Sequence, residues 1–290
     1  MATQDAAWHD RMYNNRALVP DFADHFDRWR KGSELARQQR RCITDVAYGD
    51  GPLETLDIFP ASRPDAPVVV FIHGGYWRSL DKADHSFVAP PLLDMGACVV
   101  VVNYALCPGT EAMPVTIPDI ALQCARSIAW VWRHIGAHGG NRDDLSVIGH
   151  SAGGHLAAMM LACDWKKVGK DLPKDLVRKA MSISGLFDLE PVRKTPFVQV
   201  DLKLTPRQVQ LASPALWRAP RQRVLYTVVG ADESPEFLRH NRLIRQAWGE
   251  GVVPVCEELS GLNHFSVVSA LTDPGHRLHA LAAQLIADPC

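Results

Sequence analysis

Residues 147–156 read VIGHSAGGHL, and how this stretch folds decides how the rest of the chain is arranged. DLSVIGH before it reads as a buried strand, and AGGHLAAMMLAC after it as a helix. Between them Gly149-His150-Ser151-Ala152-Gly153 matches G-x-S-x-G in the strand–turn–helix context that this pattern needs. The turn is tight enough to hold its serine in a strained backbone conformation, so the residues two places to either side must be small. Gly149 and Gly153 meet that demand, and Ala152 and Gly154 keep the start of the helix uncrowded. Ser151 Oγ then stands exposed above a sheet, and the Ala152 N–H at the helix N-terminus faces any charge developing beside it. A Gly/Ser/Ala cluster that merely opens a tightly packed helix is the plain alternative; the flanking strand and helix favour a nucleophile.

Outward from this turn, strands and helices alternate. CITDVAYG and ETLDIFP flank a DGPL turn signal and read as a β-hairpin. PVVVFIHG, ACVVVVNY, KAMSISG, QRVLYTVVG and GVVPVCEEL read as strands, most of them nearly continuous apolar runs. HSFVAPPLLDMG reads as a helical piece broken by two prolines. IPDIALQCARSIAWVWRHI, SPEFLRHNRLIRQAWG and GHRLHALAAQLIA read as helices. Ile120, Cys124, Ile128, Trp132 and Ile135 share one face of the first of these, and Ser234 and Pro235 open the second. The fold expected is α/β: a mostly parallel central sheet, helices on both faces and an antiparallel hairpin at one edge. Residues 43–290 form this domain, interrupted by an insertion at 186–220 in which Thr205 and Pro206 start a short helix. Residues 1–42 carry Phe22, Phe26 and Trp29 at helical spacing. They read as one or two short helices, equally packed on the surface or forming a partial lid over the site.

A serine hydroxyl needs a base, and the base needs an orienting acid. In a sheet of this kind the chain order is serine, acid, histidine. Asp232 follows the strand VLYTVVG and is the acid expected, with Glu233 beside it as the fallback. Ser234 can cap the next helix, which leaves Asp232 free. His264, in the loop after GVVPVCEEL, is the only histidine whose place fits the order; His150 and His155 flank the nucleophile and His240 is mid-helix. Ser151 is therefore expected to attack a carbonyl, His264 to relay its proton and Asp232 to fix the imidazole tautomer.

The oxyanion produced needs donors placed in advance. His73-Gly74-Gly75-Tyr76-Trp77 follows the strand VVVFI, and glycines there let backbone N–H groups turn inward without a Cβ in the way. Gly74, Gly75 and Ala152 are the expected oxyanion donors. His73 is expected to brace the loop, and Tyr76 and Trp77 to line the substrate site.

Bulk composition narrows the function classes. With 47% hydrophobic and 22% charged residues the chain is an ordinary globular protein, and a net charge of −1 supplies no basic surface for nucleic acid or an acidic membrane. No apolar run is long enough to span a bilayer, and no signal-peptide pattern opens the chain, so a cytoplasmic location is expected. Seven cysteines at 42, 98, 107, 124, 163, 256 and 290 have neither CxxC pairing nor metal-ligand spacing, which points to reduced thiols. The mechanism requires no cofactor and no metal, and the expected partner is a small-molecule substrate.

From about residue 43 onward the sequence resembles the α/β-hydrolase superfamily in its hormone-sensitive-lipase-like branch. HGGYW, GHSAGG and NHF, with YNNRALVPDF and VVNYALCP, make it most similar to the kynurenine formamidases, also called arylformamidases. Most of that branch carries HGGG, and here Tyr76 replaces the third glycine. The resemblance implies hydrolysis of N-formyl-L-kynurenine to L-kynurenine and formate, and it suggests a homodimer. A formamide carbonyl carries only hydrogen on one side, so Tyr76 suits a tight acyl pocket. Tyr76, Trp77, Trp8 and Tyr13 are candidate aromatic walls, and Arg16, Arg78 and Arg193 candidate carboxylate ligands. A broad carboxylesterase for short-chain esters would use the same triad. A non-catalytic binding protein on this fold would be expected to have lost the serine or the histidine.

Overall fold

The computed structural model describes residues 5–288. Eight strands form one sheet: β1 (Ile43–Ala47), β2 (Thr55–Phe59), β3 (Ala66–Ile72), β4 (Cys98–Val102), β5 (Gly140–His150), β6 (Lys179–Ile183), β7 (Val224–Gly230) and β8 (Val255–Leu259). Their spatial order is β1-β2-β4-β3-β5-β6-β7-β8. β1 and β2 pair antiparallel, as does β2 with β4, and every pairing from β4 through β3 to β8 is parallel. This is the sheet expected from the sequence, with its antiparallel hairpin at one edge.

The apolar strands are continuous because both faces are covered. Val68, Val70 and Ile72 of β3 enter one core with Ile120, Leu156 and Phe237. These last three come from the helices Ile117–His134, Ala152–Leu161 and Pro235–Trp248. Val69 and Phe71 enter the opposite core with Trp29, Leu92 and Leu281, from the helices Phe22–Gln39, Ala89–Asp94 and Arg277–Ala287. Alternation by two along one strand therefore feeds two separate cores.

Three local expectations change. The N-terminal segment contains an 18-residue helix, Phe22–Gln39, rather than only short ones; burial of Trp29 against the second core holds it. The prolines of HSFVAPPLLDMG occupy the first turn of the helix Ala89–Asp94, where a missing N–H costs nothing, so they open that helix instead of breaking it. On the Ile117–His134 helix Trp132 is only half-buried, and Val131 takes the core position. The 186–220 insertion holds the expected helix, Pro206–Leu211, with Thr205 in a capping box, and adds Glu190–Arg193 and Pro196–Leu202.

The strand order determines what meets at the C-terminal edge. Ile72 of β3 pairs with Gly149 of β5, so the loops beginning at His73 and at Ser151 leave the sheet side by side. β6, β7 and β8 follow in sequence, and each adds a loop on the same edge. Among the described residues no helix is long and apolar enough to cross a membrane. The six described cysteines are all unpaired thiols, and Cys290 lies outside the described residues.

Candidate active site

Ser151 sits between β5 and the helix Ala152–Leu161 with φ 55° and ψ −117°, a conformation that a non-glycine residue adopts only under constraint. Its own N–H donates to the Ile183 carbonyl of β6 at 2.8 Å, which pins the turn. The small neighbours are required by space. A Cβ on Gly153 would lie 1.9 Å from the Ile72 carbonyl oxygen, and one on Gly149 would lie 2.1 Å from the Gly153 carbonyl oxygen. The tight turn read from the sequence is therefore imposed by β3 on one side and the helix on the other.

Ser151 Oγ lies 3.0 Å from His264 Nε2, and His264 Nδ1 lies 2.6 Å from Glu233 Oε2. All three residues are buried. Against a carboxylate Nδ1 carries the proton, so Nε2 presents its lone pair to the serine hydroxyl. Glu233 is held in turn: its Oε1 accepts from the Ser184 hydroxyl at 2.5 Å and from the Gly230 N–H at 2.9 Å. His264 is fixed from its backbone. Its carbonyl accepts from His150 Nε2 at 2.8 Å, and Asn263 Oδ1 accepts from the N–H groups of Phe265 and Ser266 at 2.9 Å each.

The acid expected at Asp232 is displaced by one residue. Asp232 is exposed, and its N–H donates to the Leu262 carbonyl at 3.1 Å, so this part of the turn is tied to the histidine loop through backbone while its side chain faces away. Ser234 occupies the N-cap position without a capping hydrogen bond; its hydroxyl donates instead to the Met12 carbonyl at 2.6 Å. What sequence reasoning had to choose between was two adjacent carboxylates, and the side-chain directions within a four-residue turn separate them. Gly230 makes the approach possible, since a Cβ there would lie 2.2 Å from the Leu262 carbonyl oxygen.

The expected oxyanion loop lies against the nucleophile. A Cβ on Gly74 would stand 3.1 Å from Ser151 Cβ, and Gly75 has φ 108°. Neither glycine N–H has an acceptor among the described residues, and the Ala152 N–H, in the first turn of its helix, has no preceding turn to bond to. His73 braces the loop as expected. It is fully buried, lies 2.7 Å from the Gly74 carbonyl and 3.1 Å from Asn103 Oδ1, and stacks on Tyr104 with ring centroids 4.2 Å apart. Burial holds its imidazole pKa below the usual value.

A cavity of about 470 Å³ opens over Ser151 and His264, lined also by Gly75 and Tyr76. The Tyr76 hydroxyl donates to the Tyr13 carbonyl at 2.7 Å and so fastens the N-terminal segment across the site. Burial and the Glu233 carboxylate raise its pKa, keeping it a phenol. Trp77 does not reach the cavity. It is fully buried and packs edge-on against His155 at 4.9 Å. Tyr13 is likewise a core residue, donating to Glu236 at 2.7 Å, and Trp8 lies against His9 away from the cavity. The aromatic walls are instead Phe22, Phe26, Phe197 and Phe265. Phe22 and Phe26 carried a signal, their helical spacing in a segment read equally as surface helices or as a partial lid; Phe265 stood only as the last residue of NHF, and Phe197 carried no signal.

The family model described as BD-FAE matches residues 56–194. The chain is 32% identical to the kynurenine formamidase of Danio rerio, over 90% of this chain and 88% of that one. It is 30% identical to the kynurenine formamidase of Salmo salar, over 96% of this chain and 92% of that one. Among solved structures, a candidate thioesterase from Silicibacter sp. TM1040 has a TM-score of 0.80 at 29% identity, covering 96% of this chain and 98% of that one.

Proposed function

The chain belongs to the kynurenine formamidase family of α/β-hydrolases, and from that premise we propose that it hydrolyses N-formyl-L-kynurenine to L-kynurenine and formate through a Ser151–His264–Glu233 triad. The observation that carries the mechanism is the unbroken hydrogen-bonded path from Ser151 Oγ to the Glu233 carboxylate, 3.0 Å and then 2.6 Å, opening into a cavity.

His264 Nε2 takes the hydroxyl proton as Ser151 Oγ adds to the formyl carbon. Negative charge gathers on the formyl oxygen, where the N–H groups of Gly74, Gly75 and Ala152 are the available donors. His264 then returns the proton to the aryl nitrogen, the C–N bond breaks, and the arylamine leaves. A water molecule, deprotonated by His264, attacks the formyl-serine ester; formate departs and Ser151 regains its proton. Glu233 keeps its hydrogen bond to His264 Nδ1 throughout and stabilises the imidazolium formed in each half. Tyr76 lines the cavity beside the oxyanion loop, which favours a small acyl group such as formyl.

The alternative is a broad carboxylesterase for short-chain esters, since the same residues attack an ester carbonyl. Specificity constants measured side by side for N-formyl-L-kynurenine, formanilide and p-nitrophenyl butyrate separate the two. The formamidase reading expects N-formyl-L-kynurenine to lead the ester by about a hundredfold or more in kcat/KM. Parity, or a lead for the ester, overturns it. Failure of a fluorophosphonate to label Ser151 would overturn both and leave a binding protein.

A further inference from the structure

Three arginines were equal candidates for a carboxylate ligand on sequence grounds, and their surroundings separate them. Arg193 makes a two-pronged contact with Glu190 at 2.8 and 2.7 Å. Arg78 is paired with Asp201 and donates to the Phe197 carbonyl. Arg16 lines the same cavity as Ser151 and has no carboxylate or carbonyl partner among the described residues. Its contacts are the faces of Phe22 and Phe26, with the guanidinium carbon 5.6 and 5.4 Å from the ring centroids. Rings held against its face leave the N–H edges of the fork free, which is the geometry that binds a carboxylate with two parallel hydrogen bonds.

A second feature stands beside it. Asn15 lines the cavity too; the residue is only 5% exposed, and its Nδ2 is buried without an acceptor among the described residues. An amide donor left unpaired in a protein interior is costly unless a ligand completes it. Burial and the nearby Arg78 cation both lower the Arg16 pKa, a penalty that an arriving anion relieves.

An aromatic wall joins this end of the cavity to the catalytic end. Phe265 lies 5.5 Å from the His264 ring, Phe26 lies 5.3 Å from Phe265, and Arg16 caps Phe26. A substrate lying along that wall has its scissile group at Ser151, an aryl ring on Phe265 and Phe26, and its far end at Arg16.

We infer that Arg16 and Asn15 form a subsite for the carboxylate of an aryl-substituted amino acid, and that this subsite selects substrates carrying an amino-acid head group over neutral aryl amides. The inference rests on the formamidase reading for the placement of the aryl ring, and its test does not depend on formamide turnover. With p-nitrophenyl acetate hydrolysis as the reporter, L-kynurenine and 2-aminoacetophenone are compared as competitive inhibitors. They share the aryl ketone and amine, and only the first carries the amino-acid head.

The wild-type protein should bind L-kynurenine at least about tenfold more tightly than 2-aminoacetophenone. Arg16→Ala should shrink that ratio to about threefold or less by weakening L-kynurenine alone, Arg16→Lys should restore part of it, and Asn15→Asp should weaken L-kynurenine by charge repulsion with little change for the neutral compound. Equal inhibition by the two compounds in the wild type, a ratio that survives Arg16→Ala, or a parallel loss for both compounds overturns the inference. Failure of the formamidase reading shows separately, as absent turnover of N-formyl-L-kynurenine by the wild type.

Discussion

The carboxylate of Glu233 lies 2.6 Å from Nδ1 of His264. Its neighbour Asp232 is exposed. Substitution at the two positions should therefore diverge. Glu233→Gln keeps the size of the side chain but can present an N–H to Nδ1, favouring the wrong tautomer, and kcat should fall by about 10³ to 10⁴. Asp232→Asn should leave kcat/KM within about twofold. Steady-state kinetics on both variants decide the point, and the reverse pattern would restore Asp232 as the acid.

The left-handed backbone of Ser151, φ 55°, stores strain that function requires. Ser151→Ala should abolish turnover and fluorophosphonate labelling while leaving the melting temperature nearly unchanged. Ser151→Gly should abolish turnover equally and raise the melting temperature by a few degrees, because glycine adopts this φ at no steric cost and about 1–3 kcal/mol of strain is released. Equal melting temperatures for the two variants would mean that the turn is not strained.

Gly153 has no room for a side chain: its added Cβ would meet the Ile72 carbonyl at 1.9 Å, and backbone in a central strand cannot retreat. Gly153→Ala should lose about 3 kcal/mol or more in urea denaturation, or fail to fold. Gly136→Ala, where a Cβ meets nothing within 4 Å, should change stability by less than about 0.5 kcal/mol. Similar tolerance at both positions would contradict the packing of β3 against the nucleophile turn.

Acid should destabilise the fold through its histidines. Burial lowers the pKa of His85 to about 3 and of His155 to about 4, and it holds His73, His150 and His240 below the usual value of 6.5. Each of these rings is favoured neutral when folded, so as pH falls below about 6.5 the unfolded chain takes up protons that the folded chain refuses. The stability they contribute is complete above pH 6.5 or so. It is then lost toward pH 4 for His155 and pH 3 for His85, at up to about 1.4 kcal/mol per pH unit for each ring. Urea midpoints measured from pH 8 to pH 5 should fall steadily below pH 6.5. A flat profile across that range would contradict the neutral burial of these rings.

The sequence by itself determined the architecture and the chemistry of the nucleophile. Unbroken apolar runs such as VVVFI and CVVVV read as strands covered on both faces, and a serine between Gly149 and Gly153, with the strand DLSVIGH before it and a helix after it, reads as a tight turn. Those are local facts, set by steric demand and by the period of burial along one segment. His264 was legible for a related reason, since chain order left one loop for it. The tertiary structure alone decided which of two adjacent carboxylates turns inward, because that depends on the Leu262 carbonyl meeting Asp232 from another loop. It alone sent Trp77 into the core, put Phe197 and Phe265 on the cavity wall, and left Arg16 with no carboxylate among the described residues where Arg78 and Arg193 found one. Side-chain direction in loops is governed by contacts between segments that lie far apart in the chain, and no periodicity within a segment encodes them.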